Sequence, residues 1–114
     1  MRIAVVHELS IAQSIVDMVC EKAGEARVHR LTLVIGKLSA VMPDALRFCF
    51  DICTEGTVLE GAVLEIIKPP GRGRCPDCGR EQEMMSLFDA CACGAAGLDC
   101  IAGDELRIKE MEIA

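Results

Sequence analysis

Cys75-Pro76-Asp77-Cys78-Gly79, followed after an eleven-residue gap by Cys91-Ala92-Cys93-Gly94, is the stretch that decides how this chain is built. Each pair of cysteines is close enough for both sulfurs to grip one ion. The glycine after each pair permits the positive-φ turn that aims backbone amides at the thiolates. Two such knuckles are the sequence form of a tetrahedral four-cysteine metal site, and zinc suits a closed shell of soft thiolates. A module of this size has little hydrophobic core, so its fold rests on metal binding. Iron in the same shell is consistent with the spacing. A fifth nearby cysteine, Cys100, competes for the fourth position because Cys91 and Cys93 are one residue closer than the usual pair. The favoured ligand set is Cys75, Cys78, Cys91 and Cys93, with Cys100 a spare or a strand residue.

The rest of the composition narrows the class. At 114 residues there is room for one modest core and a small appended module. A 52% hydrophobic share with 26% charged residues describes a globular chain. Its net charge of −6, with scattered basic residues, argues against a nucleic-acid partner. No apolar run reaches membrane-spanning length, and Met1 to Val6 is too short for a signal peptide. Eight cysteines without an export signal point to reduced thiols, metal and the cytoplasm.

Upstream of the cysteines, apolar residues recur at helical spacing from Leu9 to Ala23, with Gly24 as a stop. Val28 to Leu38 reads as a strand, and a second helix opens on Pro43 and Asp44 and closes at Glu55-Gly56. Ala62 to Lys68 reads as a further strand, closed by Pro69-Pro70-Gly71. Glu105 to Ile113 returns to strand-like residues whose pairing partner must come from the first half. The expected architecture is α+β: two helices packed on a three-stranded sheet, with an inserted four-cysteine, zinc-ribbon-like module. Residues 1–70 and 104–114 would form the main domain and residues 71–103 the insertion. Cys20, Cys49 and Cys53 fall on apolar helix faces and read as small buried hydrophobes. His29 reads as a solvent-facing strand residue.

The segment His7-Glu8-Leu9-Ser10-Ile11-Ala12-Gln13-Ser14-Ile15 resembles, together with Ile35-Gly36-Lys37-Leu38-Ser39, Leu46-Arg47-Phe48-Cys49-Phe50-Asp51 and the cysteine pairs, the HypA/HybF family. The resemblance runs from His7 to Ile113. It implies a nickel metallochaperone for [NiFe] hydrogenase maturation, not an enzyme. The expected partners are a nickel-handling maturation GTPase and the hydrogenase large-subunit precursor, and the chain itself is expected to be a monomer or weak dimer. By the same resemblance, His7 and Glu8 correspond to a nickel site built from a terminal amine, an imidazole and adjacent backbone amides. Planar nitrogen donors suit Ni(II). Zinc would be structural and nickel transient. The match begins at His7 with nothing recognisable before it, and Met1 to Val6 displace the amine from the imidazole. Two readings follow: initiation at Val6 to give Met-His-Glu, or a real extension with a weakened or altered nickel site. Counted from the last strand, Cys91 stands one residue late, so an intact but re-formed knuckle is expected. The rival readings are a zinc-ribbon interaction module without metal delivery and a thiol-disulfide oxidoreductase using Cys75 and Cys78.

Overall fold

The computed structural model describes the backbone from Ile3 and the side chains from Glu8 onward, to Ala114. In chain order the elements are α1 (Ile3–Ala23), β1 (Val28–Ile35), α2 (Pro43–Cys53), β2 (Val63–Ile67), β3 (Gly71–Arg74), β4 (Glu81–Met84), β5 (Asp99–Ala102) and β6 (Leu106–Ile113). They make two three-stranded sheets, ordered β2-β1-β6 and β4-β3-β5. The α+β class, with two helices and an inserted cysteine module, is the one expected.

Two compact units emerge. The first takes in the chain up to Leu33, Val41–Ile66 and Ile108–Ala114; the second takes in Val34–Ala40 and Ile67–Arg107. In the first unit the two helices, β1 and Leu59 supply the core. Ala12, Ile15, Val16, Val19 and Ala23 of α1 are buried at the helical spacing their sequence predicted, and Leu46, Cys49 and Phe50 of α2 join them. Leu31 and Leu33 of β1 are fully buried. Burying side chains of this size stabilises by about 1.5–3 kcal/mol each before chain entropy is counted. On the solvent side, Arg30 of β1 ion-pairs with Glu65 of β2 and, at 3.5 Å, with Glu112 of β6.

α2 starts on Pro43, whose fixed φ is preset for a first helical position. Its N-cap residue, Met42, offers no side-chain cap. A carboxylate from the other helix stands in. The Met42 amide donates to Glu8 Oε2 at 2.6 Å, and Glu8 is only 1% exposed. This is half of a capping box, with the glutamate supplied from α1. Its charge lies by the positive end of the α2 dipole. Glu8 Oε1 is buried without a partner. At the other end the Thr54 amide closes the helix on the Phe50 carbonyl.

Three expectations change. The first helix begins at Ile3 and not at Leu9, so His7 and Glu8 lie within it and not before it. The first strand ends at Ile35 and not at Leu38. Beyond it the Gly36 amide donates to Glu105 O (2.8 Å), that of Lys37 to Pro69 O (3.0 Å) and that of Leu38 to Gly103 O (2.7 Å). Backbone groups there are satisfied by loop carbonyls instead of a strand ladder. The cysteine module also holds a three-stranded sheet of its own, whose β3 and β4 no sequence pattern announced.

In the second unit three glycines meet. A Cβ on Gly36 would run into the Gly103 carbonyl, one on Gly103 into the Gly71 backbone, and one on Gly71 into Leu38. Gly103 also holds φ at +97°. Among the described residues no helix is long and apolar enough to cross a membrane.

Candidate metal centre

β3 leads straight into the first knuckle and β4 leads out of it, so the hairpin presents Cys75 and Cys78 at its tip. The strands pair antiparallel, with Arg72 opposite Glu83 and Arg74 opposite Glu81. Arg74 Nη2 donates to Glu81 Oε2 at 2.7 Å. That contact holds the Glu81 carboxyl below the usual carboxylate range and raises the Arg74 guanidinium.

Within the first knuckle the Cys75 amide donates to Arg80 O (2.9 Å) and the Gly79 amide to Cys75 O (2.9 Å). The second knuckle repeats this scheme with one residue removed. The Cys91 amide donates to Ala95 O (3.2 Å) and the Gly94 amide to Cys91 O (3.0 Å). Gly79 and Gly94 take φ of +75° and +97°, where a side chain would be strained. Each knuckle also turns an amide onto its leading sulfur: Cys78 N–H on Cys75 Sγ (3.4 Å) and Cys93 N–H on Cys91 Sγ (3.5 Å). The shorter Cys-x-Cys pair thus keeps the plan of a full knuckle.

The sulfurs of Cys75, Cys78, Cys91 and Cys93 all lie within 4.8 Å of one another. Two contacts cross between knuckles, Cys75 to Cys93 at 3.7 Å and Cys78 to Cys91 at 3.6 Å. A tetrahedral zinc–thiolate shell with Zn–S of about 2.3 Å has edges of about 3.8 Å. The four residues therefore fit a tetrahedral ion in both donor type and spacing. Cys75 and Cys91 are buried while Cys78 and Cys93 face solvent. The Cys75 thiol is drawn down to about 7, first by the Cys78 backbone amide. Cys93 is pulled down by the Ala95 backbone, yet its neighbours Cys91, Cys75 and Cys78 together with burial push it up to about 12. Amides draw one sulfur down while neighbouring thiols push another up, and a divalent ion held by the four cysteines would supply positive charge that favours all four thiolates.

Cys100 is not part of this cluster. It sits on β5, its thiol donating to Ala102 O at 3.4 Å. Cys49 is buried, and Cys20 and Cys53 are half-buried on the helices. Burial first, then Cys49 and Asp17, raise the Cys53 thiol. His29 is exposed. The His7 side chain lies outside the described residues; its backbone is helical. The capping role of Glu8 was missed in the sequence, since nothing local links residue 8 to residue 42.

A sequence profile described as "Hydrogenase/urease nickel incorporation, metallochaperone, hypA" matches residues 6–113. The chain is 60% identical over 107 residues to the hydrogenase maturation factor HypA of Nostoc punctiforme, spanning 94% of this chain and 95% of that protein. It is 54% identical to that of Geobacter metallireducens, over 94% of this chain and 98% of the other. Among solved structures, that of the Ni metallochaperone HypA from Helicobacter pylori in solution superposes with a TM-score of 0.65 at 22% identity, covering 93% of this chain and 96% of that one.

Proposed function

We propose, for a chain that belongs to the HypA family of hydrogenase/urease nickel-incorporation metallochaperones, that it binds Ni(II) transiently at His7 and Glu8 and passes it to the precursor of a [NiFe] hydrogenase large subunit. It is a maturation factor and not an enzyme. A nickel-handling GTPase is its working partner, and the cytoplasm its place of work. Residues 1–70 and 104–114 serve as the nickel domain, and residues 71–103 as a zinc module held by Cys75, Cys78, Cys91 and Cys93.

The observation that supports this division is the closure of the four-sulfur cluster. Four thiolates complete a tetrahedral shell, leaving no position for a cargo ion to enter or leave easily. Zinc there supplies folding energy; the transient metal needs another site. The nickel donors carried over from the family are the His7 imidazole and the amides around His7 and Glu8. Inside a helix each amide N–H is directed at a carbonyl four residues back. Chelation by these amides therefore requires the first turns of α1 to open, or a chain that begins beside His7. The Glu8 carboxylate, engaged on Met42, contributes position and its amide contributes the donor.

Nickel titration of zinc-loaded protein tests this, with the full chain compared with one restarted as Met at position 6. The restarted chain should take up one Ni(II) with the absorption of a planar nitrogen-donor site, and His7→Ala should abolish it. Unchanged nickel uptake in His7→Ala would sink the reading.

A further inference from the structure

The loop between β4 and the second knuckle displays its large apolar side chains outward. Met85 is 84% exposed, Leu87 54% and Phe88 91%. Phe88 is one of only three aromatic residues in the chain. Their neighbour Met84 shows the contrast, being 2% exposed and tucked over Gly73, where a Cβ would strike its thioether.

This loop is organised from within. The Met85 amide donates to Asp89 Oδ2 (2.7 Å), the Phe88 amide to Ser86 Oγ (3.0 Å) and the Asp89 amide to Ser86 O (3.2 Å). Its far end is tied back to β4 by Gln82 Nε2 on Ala90 O (3.4 Å), one residue before Cys91. The turn is thus anchored by β4 on one side and by a metal-ligating residue on the other. A preorganised apolar turn loses little freedom on docking. Exposed aromatic and methionine side chains grouped in this way mark a protein contact.

Charge says what kind of partner fits. From Glu81 to Leu106 there is no Lys, Arg or His. Glu81 and Glu83 are matched by Arg74 and Arg72 across the hairpin, and Asp99 also stands opposite Arg74, while Asp89 and Asp104 lie outside these strand pairs and have no basic partner in register. Four thiolates around a divalent ion add a further net charge of about −2.

We propose that Met85, Leu87 and Phe88 form a docking turn that inserts into an apolar pocket rimmed by lysine and arginine on a protein partner of the maturation reaction. The four-cysteine shell sets the pose of that turn, so metal loading of the module governs docking. This rests on the maturation role proposed above. Opposite charge at the rim steers encounter, and the buried Phe88 ring holds the complex.

The test uses zinc-loaded full chain titrated against the purified maturation GTPase and, separately, the purified large-subunit precursor. Phe88→Ser and Met85→Ser should each weaken binding to one of them by roughly tenfold or more. Added salt should weaken it further, while zinc content and nickel uptake stay as in the parent. Failure of the parent to bind either protein, or equal affinity of parent and variants for both, overturns the proposal. So does a parent dimer that Phe88→Ser converts to monomer with partner affinity unchanged, since the occupant is then a second copy. None of these outcomes touches the nickel reading, which the His7→Ala titration decides.

Discussion

Glu8→Ala should loosen the start of α2 without disturbing the cysteine module. In the parent, the Glu8 carboxylate accepts from the Met42 amide at 2.6 Å in a nearly dry setting. A hydrogen bond to a charged group contributes about 1.5–3 kcal/mol, and a negative charge by a helix N-terminus up to about 2 kcal/mol when partly buried. Against these stands the second carboxylate oxygen, buried and unpartnered, whose desolvation costs about 1–3 kcal/mol. The net loss on truncation is therefore about 1–3 kcal/mol, with the vacated volume adding to it. Glu8→Gln keeps the shape and one acceptor oxygen, so it should lose less. Amide hydrogen exchange at Met42, measured on zinc-loaded, nickel-free protein, reads the bond directly. Protection should drop about 10- to 100-fold in Glu8→Ala, which follows from each 1.4 kcal/mol being about tenfold, and should be largely kept in Glu8→Gln. Parent-like exchange at Met42 in Glu8→Ala would refute the argument that this carboxylate caps α2.

The remaining expectations concern the cysteine module. Cys91→Ser should strip zinc from the purified protein while Cys100→Ser keeps a full equivalent; metal analysis giving the reverse would exchange the two residues' roles. Gly103→Ala forces a side chain into positive φ and against Gly71, so strain and overpacking together should cost about 3 kcal/mol or more, read as accelerated proteolysis of the module. The Glu81 carboxyl, held down by Arg74, adds stability that is present above its unfolded value and fades as pH falls through the depressed folded one. By NMR titration Arg74→Ala should return Glu81 to the ordinary carboxylate range; an unmoved midpoint would mean that Arg74 is not the cause.

The parts of the fold legible in the sequence were those with a period or a fixed spacing. Ile11, Ile15, Met18 and Val19, with Ala12, Val16, Cys20 and Ala23 beside them, announced α1, although Met18 stands exposed, and Pro43 with Asp44 announced α2. The two cysteine pairs foretold a cluster that the backbone brings together. The start of α1 escaped because Ile3 to Val6 is a short apolar run with no capping residue to mark an end. β3 and β4 escaped because Gly71-Arg72-Gly73-Arg74 and Glu81-Gln82-Glu83-Met84 carry almost no apolar surface. They pair through facing arginines and glutamates and through the knuckle that joins them, a signal visible only when both strands are compared. The tie from Glu8 to Met42 spans 34 residues, and only tertiary structure could reveal it.

The meeting of Gly36, Gly71 and Gly103 bears on modularity. Cutting at residues 71 and 103, where the prolines and the insertion boundary invite it, would remove two members of a three-way backbone crossing and strand the third. A transplantable version of the metal module must therefore carry the Val34–Ala40 segment with it, as a separate piece of chain from far upstream. For protein engineering, the module behaves as a two-part cassette, and a shuffled or excised copy lacking the smaller part should arrive without its keystone.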